Sequence, residues 1–258
     1  MSIMEKFNLK DNVAIVTGGA RGLGKAMATA LAQAGSNIVI VDIDLEEAQK
    51  TANDLQKEGI EAIAIKVDVT QPKQIEQMVN TIIEKFGKID VLFNNAGIAL
   101  HIKIEDMDLH DWNKIMDINI NSVFLVSKAV GKIMIKQKRG SIINISSMSG
   151  IIVNTPQCQA AYNTSKAAVI MFTKSLAVEW AQHNIRVNTI APGYMKTELT
   201  RPYFEGNSDM VKQWTDLTPM KRPGNPDELG GLAVYLASDA SSFATGGVFV
   251  IDGGYTLL

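Results

Sequence analysis

The chain of 258 residues has one cysteine, Cys158, so no internal disulfide can staple it and a thiolate metal cage is not expected. His101, His110 and His183 are scattered, no pair has the spacing of metal ligands, and no metal is expected. There is no excess of positive charge. Lys and Arg number 25 against 27 Asp and Glu, a net of −2 with the two signs interspersed. A protein that neutralises several duplex phosphates needs a dense basic stripe, so nucleic acid is not an expected partner. No stretch reaches the roughly 20 uninterrupted apolar residues of a spanning helix, and no membrane partner is expected. The opening Met1-Ser2-Ile3-Met4-Glu5-Lys6 lacks the apolar core of a signal peptide, and the cytosol is the expected compartment.

What is present is ordinary globular material, 46% hydrophobic and 20% charged. As a single domain, 1–258, such a chain buries about three quarters of its unfolded surface. Short apolar runs at 13–16, 37–41, 62–67, 89–93, 141–145, 185–190 and 248–251 alternate with segments of helical period at 24–34, 45–58, 72–86, 112–136 and 161–181. This alternation is the mark of βαβ units. It predicts an α/β fold, a doubly wound Rossmann-type domain with a seven-stranded parallel sheet flanked by helices. Residues 194–226 break the rhythm, with four prolines, no strand, and Tyr203, Phe204 and Trp214. A long irregular segment after the sixth strand, at the ligand edge of such a sheet, is expected to be a substrate lid.

The first strand runs into Thr17-Gly18-Gly19-Ala20-Arg21-Gly22-Leu23-Gly24, and helical periodicity starts at once. Gly18, Gly22 and Gly24 permit a tight turn and a close backbone approach. With Arg21 and Leu23 they open a helix whose free N–H groups can meet a pyrophosphate. Asp42 ends the second strand 18 residues beyond Gly24. There a carboxylate accepts from ribose hydroxyls and repels a 2′-phosphate, favouring NAD over NADP; the alternative is an N-cap for the segment from Leu45. Arg21 argues the other way, because a guanidinium can pair with that phosphate. Asp68-Val69 and Asn94-Asn95-Ala96-Gly97 end the third and fourth strands on the same edge. Either is ordinary turn chemistry or a bed for adenosine.

Tyr162 and Lys166, four apart in a helical pattern, share one face. A tyrosine is a poor base near neutrality, its unperturbed pKa being about 10. A neighbouring ammonium and a nicotinamide cation are expected to lower that value and make the phenol a general acid–base. Ser147, ending the fifth strand, can hold a substrate oxygen against the phenol, with Ser146 and Ser149 as competitors. Asn119 sits within a helical pattern that asparagine disfavours. It is either a satisfied polar residue or the holder of a water linking Lys166 to solvent.

Taken together, these motifs resemble the short-chain dehydrogenase/reductase family from about Leu9 to the C-terminus. The resemblance implies a catalytic set of Asn119, Ser147, Tyr162 and Lys166. It adds Pro192, Gly193, Met195 and Thr197 beside the nicotinamide and Asn188 on the preceding strand, and it implies homodimers or homotetramers built through the segments 112–136 and 161–181. One departure stands out: Ser147 and Tyr162 are two residues further apart than is usual in the family. The added length falls in 151–159, and this version resembles the polyol dehydrogenase/ketose reductase branch. His101, Ser149, Asn154, Gln157, Gln159 and Tyr194 then become candidate contacts to a polyhydroxylated substrate, or else solvated loop residues. Other readings are a reductase of 3-oxoacyl thioesters, hydroxysteroids or small ketones, and, outside enzymes, a dinucleotide-binding redox sensor.

Overall fold

The computed structural model describes residues 2–198, 200 and 209–257. Seven strands form one parallel sheet: β1 (Val13–Thr17), β2 (Asn37–Asp42), β3 (Ala62–Lys66), β4 (Val91–Asn94), β5 (Gly140–Ile145), β6 (Ile185–Pro192) and β7 (Val248–Ile251). Their order is β3-β2-β1-β4-β5-β6-β7. The chain winds outward from β1 to β3, then returns to place β4 on the other side of β1. That reversal leaves a crevice at the carboxyl ends of β1 and β4, where doubly wound sheets bind ligands.

Alternation within each buried strand sends side chains to two faces. On one face Ala14, Val16, Ile38, Ile40 and Phe93 pack against α1 (Gly22–Gln33), α2 (Leu45–Leu55) and the late helix α8 (Gly230–Ala237). On the other, Val13, Ile15, Val39, Val41 and Leu92 meet α3 (Pro72–Phe86), α5 (Ser122–Gln137) and α6 (Ala160–Trp180). α3 has proline in its first turn and ends on Gly87 in the left-handed region, the usual asymmetry of helix ends.

Three of the differences from expectation have local reasons. The fourth strand starts at Val91, because the Ile89 backbone is bonded by the Gln137 side-chain amide at 3.1 and 2.8 Å rather than by a strand. The helix expected over 112–136 begins earlier, as α4 (Leu109–Met116), capped by Asp108, and passes through a π turn, Asp117–Asn121, into α5. The combined helix Leu109–Gln137 is long and apolar enough to cross a membrane by length and composition. Its side chains Val126, Val130 and Met134 are packed on the sheet, as in any core helix. The segment 194–226 is not wholly irregular: α7 (Asp209–Leu217) lies within it, and Met195 bridges to Gly224.

Candidate active site

At the switch point a cleft of about 570 Å³ opens. One wall is the turn between β1 and α1. Gly18 and Gly22 have φ of 60° and 56°, in the left-handed region that side chains resist. A Cβ on Gly24 would stand 2.2 Å from the Gly18 carbonyl oxygen, and one on Gly18 2.9 Å from the Ala96 Cα. Asn95 fastens the turn, its amide donating to the Thr17 and Gly18 carbonyls at 3.0 and 2.9 Å. No side chain caps α1, so its first N–H groups, beside Arg21, Gly22 and Leu23 on the cleft wall, are left for an anion. Bare backbone at a helix N-terminus fits a pyrophosphate.

Asp42 ends β2 as its spacing predicts. Its carboxylate accepts from the Ala20 and Asp44 N–H groups at 3.1 and 3.2 Å. It does not cap α2; Asp44 does, accepting from the Glu47 N–H at 3.2 Å. Asp68 folds onto its own turn, accepting from the Thr70 N–H and hydroxyl at 2.9 and 2.7 Å. Gly18, Gly24 and Ala96 form the layer behind the wall, while Asp42, Asp68 and Val69 lie at strand ends outside the cleft lining. The other positions expected to bind cofactor, including Gly97, Pro192, Gly193, Met195 and Thr197, line it. Asn188 faces away, bonded to the Ala244 carbonyl and the Gly247 N–H at 2.8 and 3.0 Å, and fixes the loop into β7.

Ser147, just past β5, and Tyr162 and Lys166 on α6 meet at the cleft floor. The Ser147 hydroxyl lies on the Tyr162 side of the cleft, where it favours the phenolate, and accepts from the Ser149 N–H at 3.1 Å. Its two competitors are engaged elsewhere. Ser146 donates to the Ile190 carbonyl at 3.1 Å, and the Ser149 hydroxyl accepts from Gln159 at 3.2 Å. The buried Lys166 Nζ lies 5.7 Å from the Tyr162 ring centroid and donates to the Ile145 carbonyl at 3.0 Å.

Burial brings the Lys166 amine down to about 8. Burial also pushes the Tyr162 phenol up, with the Ser147 hydroxyl pulling it back. Among the protein's own groups, the expected lowering by the ammonium therefore does not prevail. Desolvation outweighs it, since the amine is itself buried and aimed at a carbonyl.

Asn119 falls in the π turn, buried. Its Nδ2 donates to the Ile98 carbonyl at 2.9 Å and the Ser165 hydroxyl at 3.0 Å, and its Oδ1 accepts from the Ile98 N–H at 2.8 Å. The side chain thus ties the loop after β4 to α6. Both amide hydrogens are committed, so a water held by this side chain has only the second lone pair of Oδ1. That oxygen is near Lys166: a Cβ on Gly97 would stand 3.3 Å from both Oδ1 and the Lys166 Nζ.

Beyond Ser147 and Tyr162 lies a second chamber of about 170 Å³, and His101, Ser149, Asn154, Gln157, Gln159 and Tyr194 all line it. Its wall is a chain of amides. Gln159 Nε2 donates to Asn154 Oδ1 at 2.9 Å. The Asn154 and Gln157 amides donate to the Tyr194 hydroxyl at 2.7 and 3.0 Å, and the Trp214 indole donates to Gln157 Oε1 at 3.0 Å. The Tyr194 and Trp214 rings stack with centroids 4.1 Å apart. Burial raises the Tyr194 phenol and lowers the His101 imidazole, so both are neutral near pH 7. Cys158 is exposed.

Among the described residues, no group of three or more His, Cys, Asp or Glu is placed to hold a metal. Sequence reasoning missed Ile98, Ala99 and Thr200 in the cleft and Met148 and Trp214 as chamber walls. Trp214 carried a signal as one of the aromatics of the 194–226 segment; Thr200 carried none. Tyr203 and Phe204 lie outside the described residues.

A family model described as enoyl-(acyl carrier protein) reductase matches residues 18–256. A sorbose reductase of Candida albicans is 42% identical over 99% of this chain and 90% of its own length. A probable NADP-dependent mannitol dehydrogenase of Yarrowia lipolytica is 43% identical over 98% of this chain and 91% of its own. Among solved structures, a short-chain type dehydrogenase/reductase from Mycobacterium marinum matches with a TM-score of 0.95 at 41% identity, covering 100% of both chains.

Proposed function

The chain belongs to the short-chain dehydrogenase/reductase family, oxidoreductases that join an alcohol and its ketone through a nicotinamide dinucleotide, and from that premise we propose that it is an NAD-dependent polyol dehydrogenase or ketose reductase. The amide-lined chamber beside Tyr162 and Ser147 carries the substrate reading. A polyhydroxylated chain offers donors and acceptors to the amide hydrogens and lone pairs that the wall's own bonds leave unused, and a deoxy analogue forfeits those contacts. The sorbose and mannitol enzymes among the relatives point the same way. The cofactor reading rests on Asp42 at the end of β2 and on the uncharged Ile43 after it.

When bound, the dinucleotide supplies the hydride acceptor for oxidation and the hydride donor for reduction. Tyr162 takes the alcohol proton in oxidation and returns it to the carbonyl oxygen in reduction, and Ser147 donates a hydrogen bond to that oxygen. Lys166, when charged, favours the phenolate. Asn119 is a positioning residue that holds the loop at Ile98 against α6. The segment 194–226 covers the substrate through Tyr194, Thr200 and Trp214. The exposed Phe124, Met171 and Val178 on α5 and α6 suit a homodimer or homotetramer interface, and the exposed thiol of Cys158 suits the reducing cytosol.

A panel of hexitols, pentitols, ketoses, acetoacetyl thioesters and steroids, each with NAD and NADP, tests this reading. The expected result is the highest kcat/KM for a polyol or ketose with NAD. A preference for thioester or steroid overturns the substrate. Tyr162→Phe is expected to retain NADH binding and lose about 10²–10⁴ in turnover, the usual worth of general acid–base help.

A further inference from the structure

Arg21 stands on the cleft wall at the glycine turn, where a guanidinium is placed to pair with a phosphate on the adenosine ribose. In this chain it is already paired. Its Nη2 bonds Asp44 Oδ2, and its Nε lies 3.7 Å from Glu47 Oε2. Asp44 is itself held in place. Its Oδ1 caps α2 through the Glu47 N–H at 3.2 Å, and its own N–H donates to Asp42 Oδ1, also at 3.2 Å. The short stretch from β2 into α2 therefore sets the carboxylates of Asp44 and Glu47 against one guanidinium, with Asp42 bonded to the Asp44 N–H beside them.

We propose that Asp44 and Glu47 are specificity-determining residues that hold Arg21 away from a 2′-phosphate and so turn the glycine turn toward NAD. This rests on the reading that a dinucleotide lies with its adenosine end at β2. A 2′-phosphate entering there has to draw Arg21 off two carboxylates while facing a third, whereas ribose hydroxyls meet no such conflict. The Arg21 and Asp44 side chains are half exposed, at 50% and 40%. Ion pairs so exposed are individually weak, which limits the expected effect to about tenfold. Two further cations lie at this edge: Lys66, in register with Asp42 across β2 and β3, and Lys50, 2.7 Å from Glu47 Oε1.

The test needs no turnover. Calorimetric Kd values are measured for NAD⁺, NADP⁺, ADP-ribose and 2′-phospho-ADP-ribose. The proteins are the wild type, the double variant Asp44→Ser with Glu47→Gln, and the same double variant carrying Arg21→Ala. Serine keeps the N-cap while removing the charge, and a thermal melt confirms that each variant folds. The double variant is expected to bind the 2′-phosphorylated ligands about fivefold to tenfold more tightly relative to their unphosphorylated partners, the range for a partly exposed charge-assisted bond. Arg21→Ala is expected to cancel that gain. An unchanged ratio in the double variant overturns the proposal. So does a gain that survives Arg21→Ala, which assigns it to Lys66, to Lys50 released from Glu47, or to simple loss of repulsion. A wild type that already prefers NADP⁺ sinks the NAD reading instead, and the Arg21 dependence of the variants still decides the proposal.

Discussion

The two ends of the cleft are made of different material. The end proposed for the cofactor is main chain: Gly18, Gly22 and Gly24, a helix start without a side-chain cap, and Asn95 bracing the turn from behind. The substrate end is side chain, where Asn154, Gln157, Gln159, Tyr194 and Trp214 bond one another from segments far apart in sequence. A main-chain cradle recognises what every dinucleotide shares and tolerates no added atom. A side-chain wall can be exchanged one hydrogen bond at a time. On this view, an enzyme family keeps its cofactor and varies its substrate because the two surfaces are differently built.

Substitutions at each end sharpen that contrast. The largest effect is expected for Gly24→Ala, whose new methyl group meets the Gly18 carbonyl oxygen at 2.2 Å. Dinucleotide affinity should fall by at least about 100-fold, with a stability loss of about 1–3 kcal/mol for overpacking. Calorimetry and thermal melts check both; wild-type affinity in a folded variant would break the main-chain account. Gln159→Leu should act on the substrate side alone. It leaves Asn154 Oδ1 without a donor, a stability cost of about 1–3 kcal/mol, and removes a polar group from the chamber wall, so kcat/KM for a polyol should fall by roughly 10- to 100-fold. Steady-state kinetics set beside dinucleotide Kd values test this, and equal losses in the two would erase the division.

The smallest effect is in pH. Burial keeps the Tyr162 phenol protonated near neutrality, which suits the acid needed for ketone reduction. The kcat/KM for reduction should be flat through neutral pH and fall only in alkali. Oxidation needs the phenolate and should rise with pH by up to about tenfold per unit. The rise should slacken above about 8, where Lys166 loses its charge. Profiles measured in both directions decide it; an oxidation rate that falls from pH 7 to 9 contradicts the assignment.

Most of the cofactor end was legible beforehand because its signals are local. Strand runs, the glycine turn, the acidic residue after β2 and the Tyr162–Lys166 spacing each depend on residues that are neighbours in the chain. Where local reading left two answers for Asp42, the cap went to Asp44, two residues on, a difference that spacing cannot resolve. Asn119 read as a polar intrusion in a helix. Its commitment to Ile98 and Ser165 depends on the packing of α6 against the loop after β4.

By itself, then, the sequence determined the parallel sheet, the glycine turn after β1 and the residue types that meet at the head of the cleft, because periodicity, backbone freedom and functional groups belong to the chain. Tertiary structure decided which serine faces the phenol and how far burial moves Tyr162 and Lys166. It also decided that Trp214 meets Gln157, 57 positions away in the chain, and that Arg21 is already held by Asp44. Proximity and desolvation are properties of packing, and no residue carries them before the chain has closed around it.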